Sequence, residues 1–212
     1  MKKLICAVTV LTVSFTSQHA TAEIVQYAYT GEISSITFNQ NNVLGDLQIG
    51  DPFDGIFEFD LSVPDVFPDN PITGSYDQDG VMTVNLPAIS LDYSGHLFVW
   101  VHNDSLSGDQ FGIDADTSFG DFNVSSFGVI LTDTTASAFD SDVLPSLLQL
   151  LDFDGMEFRL FGSRLSTGDS FAVTGVMTSL TIVPTPGTVI VVLALFGGAG
   201  VRRRRRRSVP GP

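Results

Sequence analysis

The amino-acid sequence predicts an all-β body, an antiparallel β-sandwich of jelly-roll-like architecture, followed by one short C-terminal transmembrane helix. Three observations predict it. Apolar and polar residues alternate at period two through most of the chain, the mark of strands with one dry face. Gly, Pro, Asp and Asn break these runs at intervals of roughly 8–15 residues, a spacing that suits sandwiches. Near the end, the uncharged stretch Thr188 to Val201 precedes a run of arginines. These features divide the 212 residues into a signal segment (1–22), a β-sandwich body (23–182), a C-terminal segment (183–207) and a tail (208–212).

Each element follows from its own residues. Val25, Tyr27 and Tyr29 alternate with Ile24, Gln26 and Ala28 in the first strand. Phe57, Phe59 and Leu61 alternate with Ile56, Glu58 and Asp60 in the next. Strands over 81–86 and 88–93 flank Pro87, and 96–102 is the most apolar run. Phe111, Ile113 and Ala115 share one face of 110–116; 127–131, 156–161 and 171–183 complete the set. Only Pro145 to Leu151 reads as helical, with proline near its start. The 17 Phe of the chain supply much of the core, each contributing on the order of 1.5–3 kcal/mol when fully buried. Phe53, Phe67 and Phe139 sit beside Pro or Asp and are expected to be exposed. Thr30-Gly31-Glu32-Ile33 and Thr174-Gly175-Val176-Met177 look alike and read as neighbouring strands that close the sandwich.

Charge excludes one partner class. All 24 acidic residues lie between Glu23 and Asp169, where Arg159 and Arg164 are the only strong cations, a formal −22. A surface so poor in cations does not bind nucleic acid, and an anionic substrate is disfavoured.

The ends carry the targeting signals. Lys2 and Lys3, the apolar run from Leu4 to Phe15 and Ala20-Thr21-Ala22 form a secretion signal with cleavage expected after Ala22. Signal peptidase and the Sec export machinery are the implied partners. The one cysteine, Cys6, leaves with that signal, so the body is built without disulfides. At the other end stand Pro184-Thr185-Pro186, the apolar stretch, and Arg202, Arg203, Arg204, Arg205, Arg206 and Arg207. As a helix the apolar stretch is about 21 Å long against a hydrocarbon core of about 30 Å, a gap that snorkelling arginines bridge. Cytoplasmic arginines then give a single-pass precursor in the inner membrane, body outside.

Together these segments resemble the PEP-CTERM sorting signal of bacterial exported proteins, here in a Pro-Thr-Pro form. The resemblance covers only the tail. It implies recognition by an exosortase-type transpeptidase and delivery to the cell surface or an extracellular polysaccharide matrix. It implies nothing about activity.

Catalytic patterns are sparse. His96 and His102 are the only histidines of the body, six apart on one strand and so about 20 Å apart. Lysine is absent after residue 3, and no serine sits in a Gly-x-Ser-x-Gly pattern. The reading is not an enzyme. Calcium is the one cofactor the spacing admits, through Asp77 and Asp79, Asp114 and Asp116, or Asp152 and Asp154, although Asp-x-Asp-Gly is also ordinary turn chemistry. Trp100, Tyr76 and Tyr93 are the aromatic residues for stacking on sugar, with Trp100 read first as core. The function expected is structural or adhesive, at a surface or in a matrix. The alternative is a glycan-binding module, Ca²⁺-assisted.

Overall fold

Strands form where the period-two pattern runs: β1 (Ile24–Asn39), β2 (Pro52–Asp60), β3 (Thr73–Leu86), β4 (Ile89–Ser105), β5 (Gly108–Ala115), β6 (Ser118–Phe119), β7 (Phe122–Asp133), β8 (Gly155–Arg164) and β9 (Ser170–Val183). They come from a computed structural model that describes residues 23–116 and 118–184. Apart from the two-residue β6, a flap on β7, every strand pairs antiparallel with the next in sequence, and β5 pairs directly with β7. β9 returns to β1, from Gln26 opposite Val183 to Asn39 opposite Phe171. The result is a closed eight-stranded up-and-down barrel.

The expected sandwich is therefore corrected to a barrel. Alternation reports one wet and one dry face per strand, and both architectures satisfy it. The pairing of the first and last strands decides between them. The look-alike segments around Gly31 and Gly175 are indeed neighbours, but they close a cylinder and leave no sheet edge. Register shifts at Thr30/Gly31, Ile33/Ser35 and Ile36/Phe38 let the long β1 curve around it.

The interior is filled. Tyr27, Tyr29, Phe57, Phe59, Phe111, Phe127 and Phe158 are all essentially inaccessible to water. Tyr27 stacks on Phe57 at 5.4 Å between centroids, and Phe53 packs on Phe158 at 4.7 Å. The outer face carries Gln26, Thr30, Glu32, Asp54, Glu58, Asp77, Asp79 and Asn85. Apolar inside and polar outside is the reverse of a barrel that faces lipid.

Loops close both ends. At one end, Val43, Leu44 and Leu47 of the β1–β2 loop are buried, and Arg164 Nη2 donates to the Val43 carbonyl at 3.0 Å. At the other, the β7–β8 loop (134–154) crosses the barrel mouth. It buries Leu144, Leu148 and Phe153, and the Leu148 amide donates to the Tyr27 hydroxyl at 2.8 Å. That bond explains a second correction. Pro145 to Leu151 is not helical; only a 3₁₀ turn forms, at Leu150–Asp152. The Leu148 amide spends its hydrogen bond on a core tyrosine instead of a helical carbonyl.

Two further expectations change. Asp77-Gln78-Asp79-Gly80 is not a turn but the middle of β3, opposite Phe98 to Gly95 of β4. Gly80 serves close packing there, since a Cβ would sit 2.5 Å from Leu97 Cδ1 and 2.6 Å from the Glu58 carbonyl oxygen. Phe53 is buried and Phe139 partly so, while Phe67 is exposed as expected.

No described helix is long and apolar enough to cross a membrane. The transmembrane helix and the single-pass precursor built on it are corrected accordingly. The stretch on which they rested, Thr188 to Val201, lies outside the described residues, as do the signal segment, Thr185, Pro186 and the six arginines.

All four tyrosines of the chain have their phenol pKa raised. Burial is the main cause at each; for Tyr76, pushed up to about 12, the carboxylates of Asp65 and Asp142 add to it. A raised phenol pKa favours the neutral form in the fold. Its stabilising contribution is therefore intact below the unfolded value near 10 and is lost as pH rises through the folded values. Phenolate absorbance is expected to stay flat past about pH 10 and then to rise together with loss of tertiary signal. Phenolate appearing near pH 10 in a still-folded protein would contradict this packing.

Candidate functional site

With the interior occupied, the surfaces left for contact are the outer wall and the loops at the barrel ends. The even-numbered face of β4 carries His96, Phe98, Trp100 and His102, while Leu97, Val99 and Val101 point inward and are fully buried. Trp100 is thus not core: it lies half-buried on the outside. Phe98 beside it is 43% exposed, and the two rings stack with centroids 5.5 Å apart and planes 28° from parallel.

The neighbouring strands make room for this pair. Trp100 stands opposite Gly112 of β5, where a Cβ would fall 1.9 Å from Trp100 Cζ2. The indole rests against bare backbone, which also covers a glycine that would otherwise weaken the strand. Phe98 stands opposite Asp77 on β3 and opposite Asp114 on β5. Directly facing residues in such ladders have Cβ atoms about 4.5–5.5 Å apart, so a carboxylate flanks the ring on each side.

Asp114 is the more confined of the two. It accepts hydrogen bonds from Ser126 Oγ at 3.0 Å and from the Phe127 amide at 2.8 Å. Burial raises its carboxyl pKa; those two donors and Arg159 pull the other way. Arg159 is held by Glu157 through two bonds, Nε to Oε1 at 2.9 Å and Nη2 to Oε2 at 3.1 Å. This pair lies in a shallow depression of about 570 Å³ across β5, β7, β8 and β9, lined also by Gln110, Ile130, Thr132 and Thr174. Gln110 is two residues from Gly112 on the same face, so the depression begins beside the indole.

The sequence-predicted metal candidates are not gathered. Asp77 and Asp79 lie along the outer face of β3, Asp114 and Asp116 at the end of β5, and Asp152 and Asp154 in the β7–β8 loop. Asp154 accepts from the amide and hydroxyl of Thr134, which is turn chemistry. Among the described residues, no group of three or more His, Cys, Asp and Glu side chains is placed to hold a metal ion. Tyr76 and Tyr93 are also withdrawn as sugar platforms: both are buried, with hydroxyls donating to the carbonyls of Asp142 and His96. Of the sorting motif, Pro184 alone is within the described residues.

No family model, curated protein or solved structure matches the chain.

Sequence reasoning passed over Phe98, Gly112 and Gln110. The signal was present as His-x-Phe-x-Trp-x-His, four rings on one face. It was masked because the intervening Leu and Val make the run read as apolar throughout.

Proposed function

We propose that the protein is a structural or adhesive component of a surface or extracellular polysaccharide matrix, and that its tail is a sorting signal of the PEP-CTERM type read by an exosortase-type transpeptidase. One observation supports the adhesive reading above others. At the barrel end where β1 begins and β9 finishes, the loops expose Val66, Phe67, Ile72, Leu106, Val143, Leu147 and Leu151, with Leu106 fully and Leu151 97% accessible. Single exposed apolar residues are ordinary, but these seven outnumber Phe38, Ile49 and Leu165 at the opposite end, and such a concentration is what association covers. The filled interior and the acidic wall support a role in contact over one in catalysis.

Replacing Leu106, Leu147 and Leu151 together with Asp tests this. The variant is expected to melt within a few degrees of the parent, since exposed sites contribute little to stability. It is expected to lose most of its retention in matrix. Unchanged retention would overturn the reading.

A second reading, a glycan-binding module, is favoured by the Phe98–Trp100 pair on the outer wall.

A further inference from the structure

Resting on that glycan-binding reading, we infer that the Phe98–Trp100 platform is a subsite for a polysaccharide carrying free amino groups, with the sugar ring on the aromatics and its ammonium beside Asp77. Three observations converge. The first is shape. Gly112 lets the indole seat against the wall, and Phe98 extends the apolar surface along the strand. A pyranose presents a face of C–H groups that packs on such rings.

The second is the local charge. Carboxylates flank Phe98 on both neighbouring strands, Asp77 exposed and Asp114 partly buried. Aromatic faces carry negative quadrupoles, so rings and carboxylates together favour a cation. Neither β3, β4 nor β5 contains a lysine or arginine to neutralise them; the facing groups from β4 and β5 are His96, His102 and Gln110. Arg159, two strands from β5, is bonded to Glu157 and also acts on Asp114, which leaves Asp77 as the carboxylate open to an ammonium.

The third is the global charge. With a formal −22 over residues 23–182, an anionic polymer is repelled before contact and a cationic one is attracted. A neutral glucan would gain the stacking but nothing from the carboxylates.

The test uses the full chain and three soluble probes: a β-1,4-linked glucosamine hexamer, its fully N-acetylated counterpart and a polyuronate oligomer. At low ionic strength the glucosamine hexamer is expected to bind best, and the polyuronate to bind only through Arg202 to Arg207, so that Trp100→Ala and Asp77→Asn leave its binding unchanged. Trp100→Ala is expected to weaken the glucosamine complex about 3- to 30-fold, the range of a cation–π contact. Because that change also uncovers Gly112, Asp77→Asn provides a variant that leaves packing alone. It is expected to weaken binding about threefold at low salt, with the difference disappearing above about 0.5 M salt. Equal binding of the acetylated hexamer, or parent-like affinity in both variants, would overturn the amino-sugar assignment while leaving glycan binding intact. Failure of both hexamers, free and acetylated, to bind would overturn the glycan reading itself.

Discussion

Gly175→Ala is expected to destabilise the barrel by about 2 kcal/mol, and Phe53→Leu is expected to recover most of that loss. The reason lies in how Phe53 enters the core. Its ring fits between two glycines on adjoining strands: an added Cβ at Gly175 would lie 2.3 Å from Phe53 Cε1, and one at Gly31 would lie 2.3 Å from Phe53 Cζ. The two sites differ in their second neighbour. At Gly175 the next contact beyond the ring is the Glu32 carbonyl oxygen at 3.1 Å, a tolerable approach. At Gly31 the Val176 carbonyl oxygen is also 2.3 Å away, and backbone does not yield. Gly31→Ala is therefore expected to cost at least as much and to be left largely unrescued by Phe53→Leu. For a body of this size, 2 kcal/mol corresponds to a fall of roughly 4–8 °C in Tm. Thermal melts of both single glycine variants and both doubles check it. Additive effects at Gly175 would mean that Phe53 does not occupy the gap.

The same three residues show what was legible in the sequence. The resemblance between the Gly31 and Gly175 segments correctly marked them as neighbours, because like sequences on paired strands create like gaps. Phe53 was misread as exposed because Pro52 and Asp54 flank it, and local turn chemistry does not reveal a pocket formed by distant glycines. Many strand positions were legible from alternation, and inward residues such as Phe57, Phe111 and Ile113 followed, but 73–80 and 122–126 were not read as strand and the two strands expected over 88–93 and 96–102 are one, β4. Closure into a barrel was not, since it depends on which strands pair rather than on which residues alternate. The outer platform was hidden for a related reason. In 96–102 both faces are apolar, so period-two reasoning had no contrast with which to separate Trp100 from Val99 and Val101.

Asp109→Ala is expected to cost about 3 kcal/mol, concentrated at the barrel end that carries the exposed apolar loops. Asp109 is fully buried, and each of its oxygens has one task. Oδ1 accepts from the Asp104 amide at 2.8 Å, fixing a hairpin residue with φ of 52°; Oδ2 accepts from the Phe139 amide at 2.8 Å, tying the 134–154 loop to β5. Its cross-strand neighbour Asp133 does the parallel task within that loop, accepting from the amides and hydroxyls of Thr135 and Ser137. The Thr135 hydroxyl and the Ser137 and Thr135 amides hold the Asp133 carboxyl well below the usual range, so its contribution is present above about pH 4 and fades as pH falls through the folded value. Two carboxylates facing each other in a body with so few cations are tolerable only because the loop and the Asp104 amide of β4 supply these donors. Removing Asp109 strands two amides at once, whereas Asp109→Asn keeps one acceptor oxygen and is expected to cost roughly half as much. Hydrogen exchange separates the two: in Asp109→Ala the amides of Asp104 and Phe139 should both exchange much faster, in Asp109→Asn only one of them. If the loop is thereby loosened, Leu147 and Leu151 lose their fixed presentation, and matrix retention should fall along with stability. A variant that melts like the parent and exchanges like it would show that the cap is held by Leu144, Leu148 and Phe153 alone.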